Sequence, residues 1–253
     1  MADGNIFLAC PSYDGTAEFM GARCAWLSAT KTRRLRTESY ASSLLTRNCN
    51  TLWCDALNNR AKQQFKWFAM LHADIVPEDW WLDKLIDEAE KYDADLMSAV
   101  VPMKSHDGVT STGISQPGRS ETYFCRLTMQ QIHHPDFPVS FGIGEAADAL
   151  ERLPPELRIE NVPREFLFVN TGCMVCRIDK PWATEVWFEN EDTIINVNGT
   201  WRAVGSSEDW IFSKRVAQQG GKVMATRIVN LIHRGVTSFS SAATWGHARD
   251  LGS

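Results

Sequence analysis

The chain alternates short, uninterrupted apolar runs with stretches whose apolar residues recur every three or four positions, and the two patterns predict different elements. Asn5-Ile-Phe-Leu-Ala-Cys10 is apolar almost throughout and runs into Pro11-Ser-Tyr-Asp-Gly15, which predicts a buried strand ending in a turn. A helix is expected from about Thr16 to Ala29, and a second strand from Leu35 to Tyr40. Between Ser43 and Gln64, Leu44, Leu45, Leu52, Trp53, Ala56 and Leu57 recur at helical spacing, and Phe65 to Leu71 predicts the third strand. Pro77-Glu-Asp-Trp80 suits the first turn of a helix reaching about Tyr92, because proline lacks an amide that a helix start leaves unused and carboxylates oppose the positive dipole end. Asp95 to Val101 supplies the next strand. This βαβαβαβ order is the signature of a mainly parallel sheet flanked by helices, an α/β fold.

The second half is patterned differently. Gly108 to Cys125 is rich in Ser, Thr and Gly, and His133 to Pro163 carries Pro135, Pro138, Pro154, Pro155 and Pro163 with little apolar periodicity. A long functional loop or lid is expected there, at about residues 130–165. Phe166 to Ile178 returns as a strand, Ser206 to Gln219 predicts a helix opened by a serine cap, and Lys222 to Ile232 supplies one or two short strands.

Composition narrows the function classes. A length of 253 residues, 44% hydrophobic and 23% charged, fits one soluble globular domain. A net charge of -5 gives no global attraction to nucleic acid or to anionic membrane, although Lys31-Thr-Arg-Arg-Leu-Arg36 is a local basic patch. No apolar run approaches the ~20 residues that span a bilayer, and Asn5 to Cys10 is too short for a signal-peptide core, so a cytoplasmic protein is expected. The seven cysteines, odd in number and scattered, point to reduced thiols. Cys173 and Cys176 have metal-ligand spacing, but residues three apart on a strand point to opposite faces and do not grip one ion.

In open α/β sheets, ligands bind beyond the carboxyl ends of the strands. Pro11, Tyr13 and Asp14 follow the first strand, His72 and Asp74 the third, and His233 the last. His72 and Asp74, separated by one residue, would share a face and could hold one cation. Imidazole and carboxylate together suit Mn²⁺, while Mg²⁺ would rely on the carboxylate. Lys104 and Gly108 to Thr112 also follow a strand and are placed to face a ligand there or to form a plain polar turn. His133-His134-Pro135 reads as a loop feature. Most tryptophans, Trp80 and Trp81 among them, read as core, and the stretch Trp182 to Trp187 offers stacking surface otherwise.

These residues resemble the GT-A class of glycosyltransferases, close to the large family two. The resemblance rests on Pro11-Ser-Tyr-Asp-Gly15, Thr46-Arg47-Asn48, His72-Ala-Asp74, Asn170-Thr-Gly-Cys173, Ser207-Glu-Asp-Trp-Ile-Phe212 and Ile232-His-Arg-Gly235. It implies a single nucleotide-diphospho-sugar transferase domain, with a nucleotide-binding half at residues 1–104 and an acceptor-side half at 105–253. It implies Asp74 as principal metal ligand, His233 as a further one, and Asp209 with Glu208 as the acceptor-side carboxylates. Tyr13 and Asp14 would contact base and ribose, Pro11 would line the same site, and Arg47 would lie near the diphosphate. His72 stands where the class has an acidic residue, and either ligates the metal or orients the diphosphate.

The expected reaction is sugar transfer from a nucleotide-sugar, a UDP-sugar first of all, to a hydroxyl acceptor. A small-molecule or saccharide acceptor is one option. The compact chain also resembles bacteriophage glycosyltransferases, some of which modify hydroxymethylated pyrimidines in DNA, where Arg33-Arg34-Leu35-Arg36 would meet phosphates. Nucleotidylyltransferases share the fold but usually carry a Gly-rich basic loop after the first strand, which Pro11-Ser-Tyr-Asp-Gly15 is not. A non-catalytic sugar-binding protein of the same fold is the third reading.

Overall fold

The structure, a computed structural model, describes residues 5–13, 25–115, 124–235, 238–242 and 244. The first strand, β1 (Asn5–Ser12), lies parallel to β2 (Leu35–Ala41) and to β3 (Phe65–Leu71). Helix α1 (Leu45–Gln63) buries Cys49, Leu52, Trp53 and Ala56, whose spacing of three and four makes one stripe. It ends where Gln64 turns left-handed at φ 55°.

The central sheet has seven strands in the order β2-β1-β3-β10-β5-β13-β8, where β5 is Leu96–Ala99, β8 Ser140–Phe141, β10 Cys173–Arg177 and β13 Val223–Thr226. Five strands run one way; β10, antiparallel to both β3 and β5, and β8, antiparallel to β13, run the other. The fold is therefore α/β with a mixed sheet in which parallel strands predominate. Strands from before and after residue 105 alternate within it.

Both faces are covered, which is why the strands are apolar without alternation. Phe7, Phe68, Met70, Met174 and Cys176 pack on one side with Trp53 and Phe212, while Ile6, Leu8, Trp67, Leu71 and Cys173 pack on the other with Trp81, Leu85 and Ile86. Cys173 and Cys176 thus sit on opposite faces, and burial pushes both thiols up.

Several expectations need correction. Pro77 does not open a helix: it ends a short strand, β4 (Ile75–Pro77), paired with β14 (Leu231–Arg234), and helix α2 (Trp81–Tyr92) starts only after Trp80 at φ 62°. A pairing partner more than 150 residues away, Leu231 opposite Pro77, overrides the local signal. Nor is 130–165 a long loop or lid. Strand β6 (Val109–Ser115) pairs with β7 (Phe124–Thr128), and helix α3 (Met129–Ile132) follows at once. Helix α4 (Ile143–Arg152) then buries Ala146, Ala147, Ala149 and Leu150 in the core. The prolines flank α4 instead of interrupting it.

The expected strand from Phe166 to Ile178 is two strands in two sheets. β9 (Leu167–Phe168) joins β6, whereas β10 enters the central sheet, and Asn170-Thr171-Gly172 makes the step between them. A hairpin, β11 (Glu191–Val197) and β12 (Thr200–Ser206), turns at Asn198-Gly199 with φ 53° and 81°. That Asn-Gly pair is its sequence signal. Helix α5 (Glu208–Gln218) follows the hairpin, and β15 (Ser238–Ser240) pairs with β14. Of the expected helix at 16–29, residues 14–24 lie outside the described residues, while 25–27 are helical.

Candidate functional site

At the carboxyl end of β3 the chain turns sharply, with the Ile75 amide donating to the His72 carbonyl at 3.1 Å. Asp74 sits in this turn, and its carbonyl accepts from the Arg234 amide at 2.8 Å, which fastens the turn to β14. The Asp74 carboxylate then meets two side chains. Lys104 Nζ is ion-paired with Oδ2, and His233 Nε2 lies 3.4 Å from the same oxygen. His233 Nδ1 is 2.8 Å from the Pro102 carbonyl. A carbonyl only accepts, so Nδ1 donates to it, and Nε2 is the ring atom that faces Asp74. Burial alone would raise the Asp74 carboxyl, but His233, His72 and Lys104 together hold it well below the ordinary carboxylate range.

Among the described residues His72 does not complete a group of three metal-type side chains with this pair. The expectation that His72 and Asp74 share a face assumes extended chain, and the chain is a turn here. His72 is fixed by its amide, which donates to the Gly172 carbonyl at 2.8 Å. Its Nε2 is buried without a hydrogen-bond partner. Burial pushes the imidazole down, against the pull of Asp74 and Glu208.

Gly172 makes the close approach possible. A Cβ there would lie 2.6 Å from Ile75 Cδ1, 2.7 Å from Asn170 Oδ1 and 3.1 Å from His72 Nδ1. From Gly172 a chain of hydrogen bonds leads inward. The Gly172 amide donates to Asn170 Oδ1 at 2.6 Å, Asn170 Nδ2 donates to Asp209 Oδ2 at 3.0 Å, and the Thr171 hydroxyl donates to Asp209 Oδ1 at 2.8 Å. Asp209 and its neighbour Glu208 are both buried at the start of α5, where the helix dipole favours negative charge. Burial nevertheless pushes the Asp209 carboxyl well above the ordinary range, and Glu208 adds to the rise, while Thr171 and Arg126 oppose it.

Arg126, which sequence reasoning missed, lies with its guanidinium 4.5 Å from the centre of the Trp210 ring. Trp210 in turn donates to the Ser111 carbonyl at 2.8 Å. Gly113 leaves room for that indole, since a Cβ there would meet Trp210 Cζ2 at 3.0 Å. The start of α5 is thereby fixed on β6. Nothing local in the sequence couples Arg126 to Asp209.

The remaining candidates are dispersed. Pro11 is buried in β1 opposite Tyr40, and Tyr13 is exposed just beyond it. Asp14 lies outside the described residues. Asn48, beside the predicted Arg47, donates from Nδ2 to the Ser12 carbonyl at 2.8 Å and to the Ser42 carbonyl at 3.0 Å, tying together the ends of β1 and β2. Arg47 points elsewhere: it lines a groove of about 890 Å³ along α1 with Ser43, Asn50 and Asn190, and this groove contains none of the Asp74 cluster.

Two of the four basic side chains of the patch, Arg33 and Arg36, are ion-paired. Arg33 is paired with Asp83 at 2.6 Å and Asp87 at 2.7 Å with its side chain buried, and Arg36 with Glu38 at 2.9 Å and Asp55 at 3.3 Å. His133 is 2.9 Å from the distant Ser241 carbonyl, while His134 accepts from the Asp136 amide at 3.2 Å within its own loop. Among the described residues, no helix is long and apolar enough to cross a membrane.

Two protein donors of metal-binding type therefore face one another, Asp74 Oδ2 and His233 Nε2. Among the described residues no group of three His, Cys, Asp or Glu gathers as a complete metal cage. One carboxylate with few further protein ligands suits an ion whose shell is completed by phosphate and water.

No known protein-family profile matches the chain, and no curated protein matches its sequence. Solved structures with a similar chain course include A197 from STIV (TM-score 0.49, 9% identity, covering 97% of this chain and 95% of that one). S. aureus TarS residues 1–349 in complex with UDP-GlcNAc has a TM-score of 0.41 and 8% identity over 88% of this chain and 56% of that one. An apo UDP-glucose pyrophosphorylase has a TM-score of 0.37 and 10% identity over 93% and 75%. At those values they assign no role to any residue here.

Proposed function

We propose that this protein transfers a sugar from a nucleotide-sugar, a UDP-sugar in the reading favoured by its sequence, to the hydroxyl of an acceptor. The observation that carries the reading is the hydrogen-bonded bridge from His72 through Gly172 and Asn170 to Asp209. It links a charged cluster at the sheet edge to a buried carboxylate with raised proton affinity. Sugar transfer needs both: positive charge where the diphosphate leaves and a base where the hydroxyl attacks.

In an inverting reaction the acceptor oxygen would bond to the anomeric carbon as its proton passes to an Asp209 carboxylate oxygen. The bond from that carbon to the diphosphate oxygen would break, with its electron pair leaving on the diphosphate. Asn170 and Thr171 hold Asp209 in place, and Glu208 raises its affinity for the proton. Lys104 supplies a cation for the diphosphate, and His72 lends a polar wall. Asp74 and His233 are the residues that would hold Mn²⁺ or Mg²⁺, an ion that, when bound, neutralises charge developing on the leaving group. With Arg33 and Arg36 paired internally, a saccharide or other small hydroxyl acceptor suits the surface better than DNA.

Calorimetry with UDP, with and without Mn²⁺, followed by a UDP-release assay over a panel of UDP-sugars, tests this reading. Binding and release are both expected. UDP binding with no turnover of any donor would instead make the protein a non-catalytic binder.

A further inference from the structure

Asp74 already holds a cation, and the arrangement that holds it is built into the fold. The Lys104 ammonium pairs with Asp74 Oδ2, the oxygen that also faces His233 Nε2. The lysine stem lies along Gly235, where a Cβ would stand 3.1 Å from Cδ, 3.4 Å from Cγ and 3.5 Å from the Cβ of Lys104. Any side chain at 235 would press on that stem. The Arg234 amide, bonded to the Asp74 carbonyl at 2.8 Å, keeps Gly235 beside the turn that presents the carboxylate. One ammonium carries three donors, and among the described residues it donates to Asp74 alone. The Lys104 side chain is 37% exposed, so it can exchange partners without unpacking the core.

A divalent ion and an ammonium cannot both sit on one carboxylate oxygen without strong repulsion at such short range. We propose that Lys104 is a displaceable counter-ion that closes Asp74 to free divalent ions, so that metal enters only together with a nucleoside diphosphate. The phosphate oxygens take over the ammonium as the ion takes over the carboxylate. This rests on the nucleotide-sugar reading above and adds an order of binding to it. Linkage makes the coupling reciprocal: metal and diphosphate each bind poorly alone and each strengthens the other by the same factor.

The test uses the full chain. Mn²⁺ binding is followed by the electron paramagnetic resonance of the free ion, with and without UDP, and UDP binding by calorimetry, with circular dichroism confirming the fold of each variant. For the wild type, UDP is expected to tighten Mn²⁺ binding by roughly 10-fold or more, within the usual range of coupling. Lys104→Met is expected to bind Mn²⁺ without UDP about as much more tightly, and to bind UDP more weakly. Lys104→Arg should keep the wild-type behaviour, because it keeps the charge. Adding Asp74→Asn to Lys104→Met should abolish the gained Mn²⁺ affinity, locating the ion.

Equal Mn²⁺ affinity of wild type and Lys104→Met in the absence of UDP overturns the proposal. So does UDP binding to the wild type that is unaffected by a chelator, since Lys104 would then be the only cation involved. UDP binding to no form of the protein, with the Mn²⁺ gain of Lys104→Met intact, overturns the nucleotide-sugar reading and the exchange with it, and leaves the exclusion of free ion standing.

Discussion

Asn170 bridges two backbone segments through the two atoms of one amide: Oδ1 accepts from the Gly172 amide at 2.6 Å while Nδ2 donates to Asp209 at 3.0 Å. Replacing Asn170 by Ala leaves a buried amide and a buried carboxylate oxygen short of a partner. The expected cost is about 1–3 kcal/mol. Urea denaturation should show a lower midpoint at unchanged slope, and turnover should fall with it because Asp209 loses its orientation.

Asp209 sets a pH dependence whose sign is opposite to that of an ordinary ion-paired carboxylate. Its folded proton affinity is raised above the model-compound value of 3.8, so between the two values the folded state binds more protons than the unfolded state. Stability therefore falls as pH rises through that window, and the deficit persists above it. Asp209→Asn removes the deficit: its oxygen can accept from Asn170 while its amide donates to the Thr171 hydroxyl. Denaturation at pH 4 and pH 8 should show the variant gaining on the wild type at the higher pH. Turnover should fall by about 10²–10⁴ if Asp209 is the base. A variant that keeps its turnover rejects the base assignment.

Asp74 behaves the other way. Its folded proton affinity is depressed, so the stability it contributes is present above the unfolded value of 3.8 and is lost as pH falls through the folded one. The stability difference between wild type and Asp74→Asn should shrink steadily on acidification below about pH 4, the ordinary carboxylate value. A difference independent of pH would mean that Lys104 and His233 do not hold Asp74 as described.

Gly172→Ala tests the close approach at the step between β9 and β10. The added methyl would meet Ile75 and Asn170 at distances shorter than contact allows. A loss of about 1–3 kcal/mol is expected from the overpacking. Nuclear magnetic resonance of the His72 ring should shift as well. Unchanged stability would show that the turn has slack.

Arg33→Ala addresses the basic patch. It breaks bonds to Asp83 and Asp87 and is expected to cost about 1–3 kcal/mol, as hydrogen bonds between charged groups do. Mobility shift on hydroxymethylated duplex DNA across a salt series should show no salt-sensitive complex in either form. Binding that weakens steeply with salt would restore the DNA reading.

The elements that were legible are those whose partners are local or generic. Phe65–Leu71 reads as a buried strand because both of its faces are covered, whatever covers them, and Leu45–Gln63 reads as a helix because Cys49, Leu52, Trp53 and Ala56 form a stripe over about two turns. Sequence likewise singles out Asp74, His233, Lys104 and Asp209 as candidates, since each follows a strand or opens a helix. Helix α4 was hidden by the prolines on either side of it, although Ala146, Ala149 and Leu150 keep helical spacing.

What sequence alone determined is the alternation of strand and helix and the residue types gathered beyond the strands, because those follow from short-range periodicity and from where chains turn. Tertiary structure decided the rest. It inserted β10 between β3 and β5, ended β4 at Pro77 by pairing it with β14, and spent Arg33 and Arg36 on internal carboxylates. It also folded the His72–Asp74 tripeptide into a turn, and set Lys104 on Asp74 across Gly235. Each of these depends on a partner far along the chain, and no local pattern of polarity encodes which distant residue will arrive.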